Sequence, residues 1–296
     1  MFPAGLKQER NMAKNRCRGK KKYRPVLWVA FVILFAYSLT LLMPLYYLLI
    51  NSVKRMDDFL ERGAWALPKM LWFYNYADAA TLTSGKVSFI GMYANSIILT
   101  AAAVLISSAT TTMTAYALGR FRFWGRDILV TIGVGALVLP DLGSTTVVYK
   151  MFVDLNLIDT WFILIKYTTP FGLQFLILYS LFKTVAGTYV EAARIDGAGE
   201  WRIFLQICLP MARGALGATM VILAINNWND YYTPYMYLPS LKTLSIGLQE
   251  LAMTVSQLDR PKLFAGMVIA ITPLLIVFVA MRDVIIENTI SGGLKG

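Results

Sequence analysis

Six long runs of apolar residues, separated by polar and charged segments, restrict this chain more than any other feature. They lie near Val26–Ile50, Ile90–Leu118, Ile128–Tyr149, Trp161–Phe182, Ile207–Trp228 and Leu263–Ile285. A hydrocarbon core of about 30 Å is crossed by roughly 20 residues at about 1.5 Å of helical rise each, and every run reaches that length. The expected fold is therefore an all-α polytopic membrane protein with six transmembrane helices. Composition agrees, at 57% hydrophobic and 15% charged against roughly 45–50% and about 25% in soluble domains.

The formal net charge of +11 would ordinarily raise nucleic acid or an anionic surface as partner, so the placement of the basic residues decides between them. They cluster at span ends and on an N-terminal arm that carries nine Lys and Arg from Lys7 to Arg24 against one acid, Glu9. An even number of spans puts both termini on one side. Calling that side cytoplasmic gathers the arm with Arg120, Arg122, Arg126, Lys183, Arg194, Arg202, Arg213, Arg282 and Lys295 inside, about twice the number left outside, as the positive-inside rule requires. The arm then reads as an anchor on anionic lipid, and no nucleic-acid partner is expected. The first apolar run is longer than the h-region of a signal peptide and stays as a span. The chain divides into a basic arm (1–25), a first helix with an external loop (26–89), a core of five helices (90–290) and a short cytoplasmic tail (291–296).

Catalysis by the chain alone is not expected. It contains no histidine, the usual general base, and its two cysteines, Cys17 and Cys208, have no CxxC spacing and both face the reducing side, so neither a disulfide nor a metal site is expected. The two long external connections, Asn51 to Phe89 and Asn229 to Lys262, are rich in Trp and Tyr beside prolines. An interfacial aromatic belt accounts for these rings, with a docking surface for an external partner as the alternative.

One cytoplasmic connection is not a simple loop. Thr188-Tyr-Val-Glu191 fits a capping box, which starts a short helix through Ala192, Ala193, Arg194 and Ile195. Asp196-Gly197 allows a sharp turn, and a second short helix runs from Gly199 into the fifth span, with Pro210 suited to the first turn of that span. The expected product is a helix-turn-helix plug over residues 188–206. Glu191 is a cap on this reading, and Gly197 a turn glycine.

The spacing Glu191-Ala192-Ala193, three residues, Gly197, nine residues, Ile207, one residue, Leu209-Pro210 resembles the EAA loop of permease subunits in binding-protein-dependent ABC importers. WNDYYTPYMYL after the fifth span, YANS at the start of the second, Pro170-Phe171-Gly172 in the fourth and the C-terminal SGGLKG are similar to the carbohydrate-uptake branch, which includes the maltose-type inner-membrane subunit. The likeness covers most of the chain from about Pro25. It departs at Ala186, where the family usually has a proline. The resemblance implies partners: a cytoplasmic ABC ATPase dimer coupled through the loop residues Glu191, Ala192, Ala193, Asp196, Gly197, Ile207, Leu209 and Pro210, a second permease of different sequence, and an extracytoplasmic solute-binding protein. It also implies a sugar or oligosaccharide as solute. A different solute class, or a self-sufficient secondary carrier, is the alternative. No cofactor is bound directly: the chain lacks GxxxxGK(S/T), so ATP is used by the partner subunits.

Polar groups at membrane depth are costly and mark candidate path-lining positions. These are Asp141 after Pro140, Gln174 in the fourth span, and Asn226, Asn227, Asn229 and Asp230 at the outer end of the fifth. Interhelical hydrogen bonding is the alternative role for each.

Overall fold

The computed structural model describes residues 24–81, 83, 84, 86–138, 144–184, 187–254 and 260–293. Its first helix, α1 (Arg24–Ser52), is apolar on every face and leaves Val26 to Met43 exposed, the appearance of a rod meant for lipid rather than water. Only its end is held. There Tyr47 meets Trp65 and Phe264 edge to face, with ring centroids at 5.0 and 5.5 Å, against the last helix of the chain. Between the first two spans come α2 (Met56–Arg62), α3 (Tyr74–Thr81) and a two-residue antiparallel ladder, β1 (Thr83–Ser84) with β2 (Val87–Ser88). This ladder is the one departure from an all-helical fold among the described residues.

The segment between α1 and α4 is knotted around a buried lysine. Lys54 is fully buried, and its ammonium donates to Asn51 Oδ1, Gly63 O and Ala64 O at 2.9, 3.0 and 3.1 Å. Asn75 donates to the carbonyls of Ser52 and Lys54 at 2.8 and 2.7 Å, tying α3 to the end of α1.

The axis of the bundle is α4 (Phe89–Arg120), capped by Ser88 Oγ accepting from the Gly91 N–H. Its buried residues include a run of small and hydroxyl side chains in the middle, Ala103, Ser107, Ser108, Thr111, Thr112 and Ala115, which let neighbouring helices approach closely, with larger apolar residues such as Phe89, Met92, Leu99, Tyr116 and Leu118 toward the two ends. Around it pack α7 (Leu173–Thr184), α9 (Glu200–Asn229) and α11 (Leu244–Thr254), while α12 (Arg260–Gly293) packs on α9 and α1. The remaining helices are α5 (Arg126–Ala136), α6 (Ser144–Asp154), α8 (Gly187–Ile195) and α10 (Tyr232–Tyr237).

Six apolar runs do not become six unbroken helices. Among the described residues four helices, within α1, α4, α9 and α12, are long and apolar enough to cross a bilayer. A fifth arises only if α7 and the part of α8 from Tyr189 to Ile195, bent by 65°, are counted together. The third run is divided into α5 and α6. The fourth starts as a 3-10 turn at Trp161–Ile165 and becomes α-helical only from Leu173, after Pro170 and Gly172. Proline lacks the donor that would continue the ladder, and a glycine after it adds conformational freedom. The Thr169 carbonyl accepts from Thr111 Oγ1 at 2.6 Å, and the Ser107 and Thr169 hydroxyls lie 3.2 Å apart, so the hydroxyl face of α4 ties down the bend. Close approach at this bend leaves no room for a Cβ on Gly133, whose place is taken by the Phe171 ring.

Candidate functional site

The segment from Gly187 to Cys208 forms one compact unit on the ends of α4 and α7. Helix α8 begins at Gly187, so Thr188 falls within its first turn rather than at the cap that the capping-box pattern predicts. Val190 is buried and Ala193 half-buried against Leu118, Phe182 and Ile203 in the largest apolar cluster of the bundle. The opposite face is open: Glu191, Ala192, Asp196 and Gly197 are exposed, and Ile195 is 86% exposed, an unusual position for a large aliphatic side chain. The Glu-Ala-Ala triplet therefore splits, with Glu191 and Ala192 outward and Ala193 inward.

Gly197 ends the helix. Its φ of +77° lies in the left-handed region, which glycine enters without a Cβ penalty. Two bonds then close the end: Gly197 N–H to Arg194 O at 3.0 Å and Ala198 N–H to Ala193 O at 2.9 Å. That pair is the Schellman arrangement, and the half-buried Ala198 and Ala193 supply the apolar contact that accompanies it. A Cβ built on Gly197 would meet nothing within 4 Å. The glycine is needed for its backbone angle, not for space.

Gly199 leads into α9 in an extended conformation, and Glu200 is the first residue of that helix. Arg194 lies in the last turn of α8 and Glu200 in the first turn of α9, each with the sign that its helix end favours. They meet across the turn. Arg194 Nε donates to Glu200 Oε1 at 2.9 Å and Nη2 approaches the same oxygen at 2.7 Å, while the Tyr116 hydroxyl of α4 donates to Oε2 at 3.4 Å. Neither Arg194, Glu200 nor Tyr116 was singled out for this contact by the sequence, because the pair spans a turn that breaks helical periodicity.

The fifth span does not start at Ile207. Helix α9 is continuous from Glu200 to Asn229, with a π turn over Phe204–Cys208 in which the Leu209 N–H bonds to Phe204 O. Pro210 is in the first turn of the α-helical stretch Leu209–Asn229, as expected, but that stretch follows directly on the π turn. Its missing N–H falls where the widened π turn already interrupts the regular ladder, which places its cost at an existing break. Leu209 packs on the apolar cluster and Ile207 is half-buried, whereas Ile203, Phe204, Cys208 and Ala212 form the buried stripe. Beside them Met113, Tyr116, Ala117, Phe121, Glu200, Trp201 and Phe204 line an open cleft of about 310 Å³.

The polar residues of the spans have separate fates. Gln174 is buried and donates to Ser108 Oγ at 3.3 Å, with its Oε1 unpartnered among the described residues. Asn226 is exposed and Asn227 half-exposed; Asn229 bonds back to Ile225 O at 2.9 Å. Asp230 staples the corner after α9: Oδ1 accepts from the Thr233 N–H at 3.0 Å, Oδ2 from the Tyr167 hydroxyl at 3.3 Å, and its carbonyl from Ser245 at 3.0 Å. Between them, buried Trp228 donates from Nε1 to Ala270 O at 3.1 Å and ties α9 to α12. Asp141 lies outside the described residues.

Comparison with known proteins places this geometry in context. A family described as the binding-protein-dependent transport system inner membrane component matches residues 12–289. The diacetylchitobiose uptake system permease protein NgcG of Streptomyces coelicolor is 30% identical over 260 residues, covering 84% of this chain and 83% of its own. The arabinooligosaccharides transport system permease protein AraQ of Bacillus subtilis is 29% identical over 280 residues, covering 93% and 96%. Among solved structures, a bacterial ABC transporter involved in the import of the acidic polysaccharide alginate has a chain that shares the fold at a TM-score of 0.76 and 24% identity, covering 88% of this chain and 97% of its own.

Proposed function

The chain belongs to the family of inner membrane components of binding-protein-dependent transport systems, and from that premise we propose that it is the permease subunit of an ATP-driven importer of oligosaccharides. It forms half of a translocation path in the cytoplasmic membrane, with both termini inside. The observation that carries this reading is the build of the loop: a short helix anchored by Val190 and Ala193 on the ends of α4 and α7, ended by a left-handed glycine, and presenting Glu191, Ala192, Ile195 and Asp196 outward. A fixed knob with one apolar residue at its tip suits insertion into a cleft of a partner. Because the knob runs into the unbroken α9, displacement of the partner becomes displacement of a membrane-crossing helix, which is the mechanical content of alternating access.

The chain has no phosphate-cradling loop, so the nucleotide is hydrolysed by a pair of ATPase subunits docked on this knob. A second permease completes the path, and a solute-binding protein delivers the sugar from outside. The solute class rests on the relatives named for diacetylchitobiose and arabinooligosaccharides. Asn226, Asn227, Asn229 and Asp230, exposed or half-buried at the end of α9, are the candidates for lining the path, whereas Gln174 is buried against Ser108 as an interhelical contact.

The test is reconstitution of the full importer in proteoliposomes, with ATP hydrolysis and uptake of a labelled oligosaccharide series measured together. Glu191→Ala should lower solute moved per ATP while the protein remains inserted and assembled. Equal coupling in Glu191→Ala and the natural chain, or ion-driven uptake by the purified chain alone, would refute the proposal.

A further inference from the structure

We infer that Glu200 is a positioning residue that locks the loop to two membrane-crossing helices at once, an inference that rests on the coupling role proposed above. Without it, α8 would be joined to α9 through Asp196–Gly199, where Gly197 and Gly199 flank a single residue. The two bonds from Gly197 and Ala198 hold that side of the turn to the end of α8, so the freedom that remains lies at Gly199, where a push on α8 would be spent. The carboxylate of Glu200 removes that freedom by dividing its oxygens. Oε1 takes both Arg194 contacts, at 2.9 and 2.7 Å, and holds α8 onto the start of α9. Oε2 takes the Tyr116 hydroxyl at 3.4 Å and reaches α4, the axis of the bundle.

Tyr116 is a firm anchor for this purpose. It is buried, with its ring centroid 4.7, 5.7 and 5.8 Å from those of Phe204, Phe182 and Phe121, so its hydroxyl is held by packing rather than by the bond it makes. Arg194 and Glu200 are each about half exposed, at 52% and 42%. Ion pairs in such surroundings add little to folding. Loss of this one should leave the fold in place and show in the transmission of movement.

The experiment uses the assembled importer with its own ATPase, partner permease and binding protein, and MgATP alone as the probe. Hydrolysis in the absence of solute is measured relative to the maximal rate, beside the thermal midpoint of the complex. Glu200→Gln and Arg194→Glu should each raise this idle hydrolysis several-fold at an unchanged midpoint; Tyr116→Phe should do so less. The exchanged pair, Arg194→Glu with Glu200→Arg, should recover more than half of the natural coupling, and it keeps the test valid if either single variant fails to assemble. Idle hydrolysis unchanged in Glu200→Gln, a midpoint that falls in step with uncoupling, or no recovery in the exchanged pair would overturn the inference. If Glu191→Ala uncouples while Glu200→Gln does not, only this inference fails. If both are silent, the coupling role fails with it.

Discussion

Replacement of Gly197 isolates the backbone contribution to the loop, because a side chain there would touch nothing within 4 Å. At a φ of +77° an L-residue costs about 1–2 kcal/mol relative to glycine. Part of that is offset because alanine also narrows the released state of the loop, by about 0.4–1 kcal/mol. The net effect of Gly197→Ala is about 1 kcal/mol, roughly a fivefold rise in the population with the turn open. The amides to watch are those of Gly197 and Ala198, whose bonds to Arg194 O and Ala193 O close the helix end. Hydrogen exchange in the purified complex should show them about fivefold less protected, while amides in the middle of α4 stay unchanged. Gly197→Asn, which tolerates the left-handed region, should lie between glycine and alanine, and Gly197→Val should be worse than alanine. Equal protection in Gly, Ala and Val at this position would refute the claim that the angle, and not the residue's size, fixes the turn.

Thr111→Val keeps shape but removes the donor to the Thr169 carbonyl, leaving that group unpaired at the bend of the fourth run. The expected cost is about 1–3 kcal/mol in the thermal midpoint in detergent, and a variant as stable as the natural chain would refute the bridging role. Lys54 tests the knot between α1 and α4 through pH. Burial pushes its ammonium below the ordinary 10.5, against the pull of Asp58, with Arg62 adding to the lowering. The folded state therefore sheds the proton more readily than the unfolded one. Stability from this group is full above 10.5 and is lost as pH falls through the lower folded value. Urea unfolding followed by Trp65 and Trp72 fluorescence should show the natural chain gaining on Lys54→Met as pH rises toward 10.5; parallel curves would refute it.

Helices α1, α4, α9 and α12 were legible because long apolar runs leave a chain in lipid no other way to satisfy its backbone. The turn at Gly197 was legible because few residues serve a left-handed position. The bend in the fourth run is not legible for a specific reason: hydropathy records that Trp161 to Phe182 is greasy, not that Ser107 and Thr111, distant in sequence, supply hydrogen bonds that let it bend. The corner contacts of Asp230 are hidden from sequence for the same reason, since its partner Tyr167 belongs to another segment. The start of α9 was placed too late because the π turn conceals the continuity between Glu200 and Ile207, although Pro210 within a helical pattern marks the disturbance.

Helix α9 continues from Glu200 to Asn229 through one irregular turn at Phe204–Cys208, about 45 Å at 1.5 Å per residue. A tilt of about 5° at one end sweeps the other through about 4 Å, by the same length. Gear and tool are one piece. On the proposed coupling role, a push received at the loop reaches the Asn226–Asn229 end within the same helix.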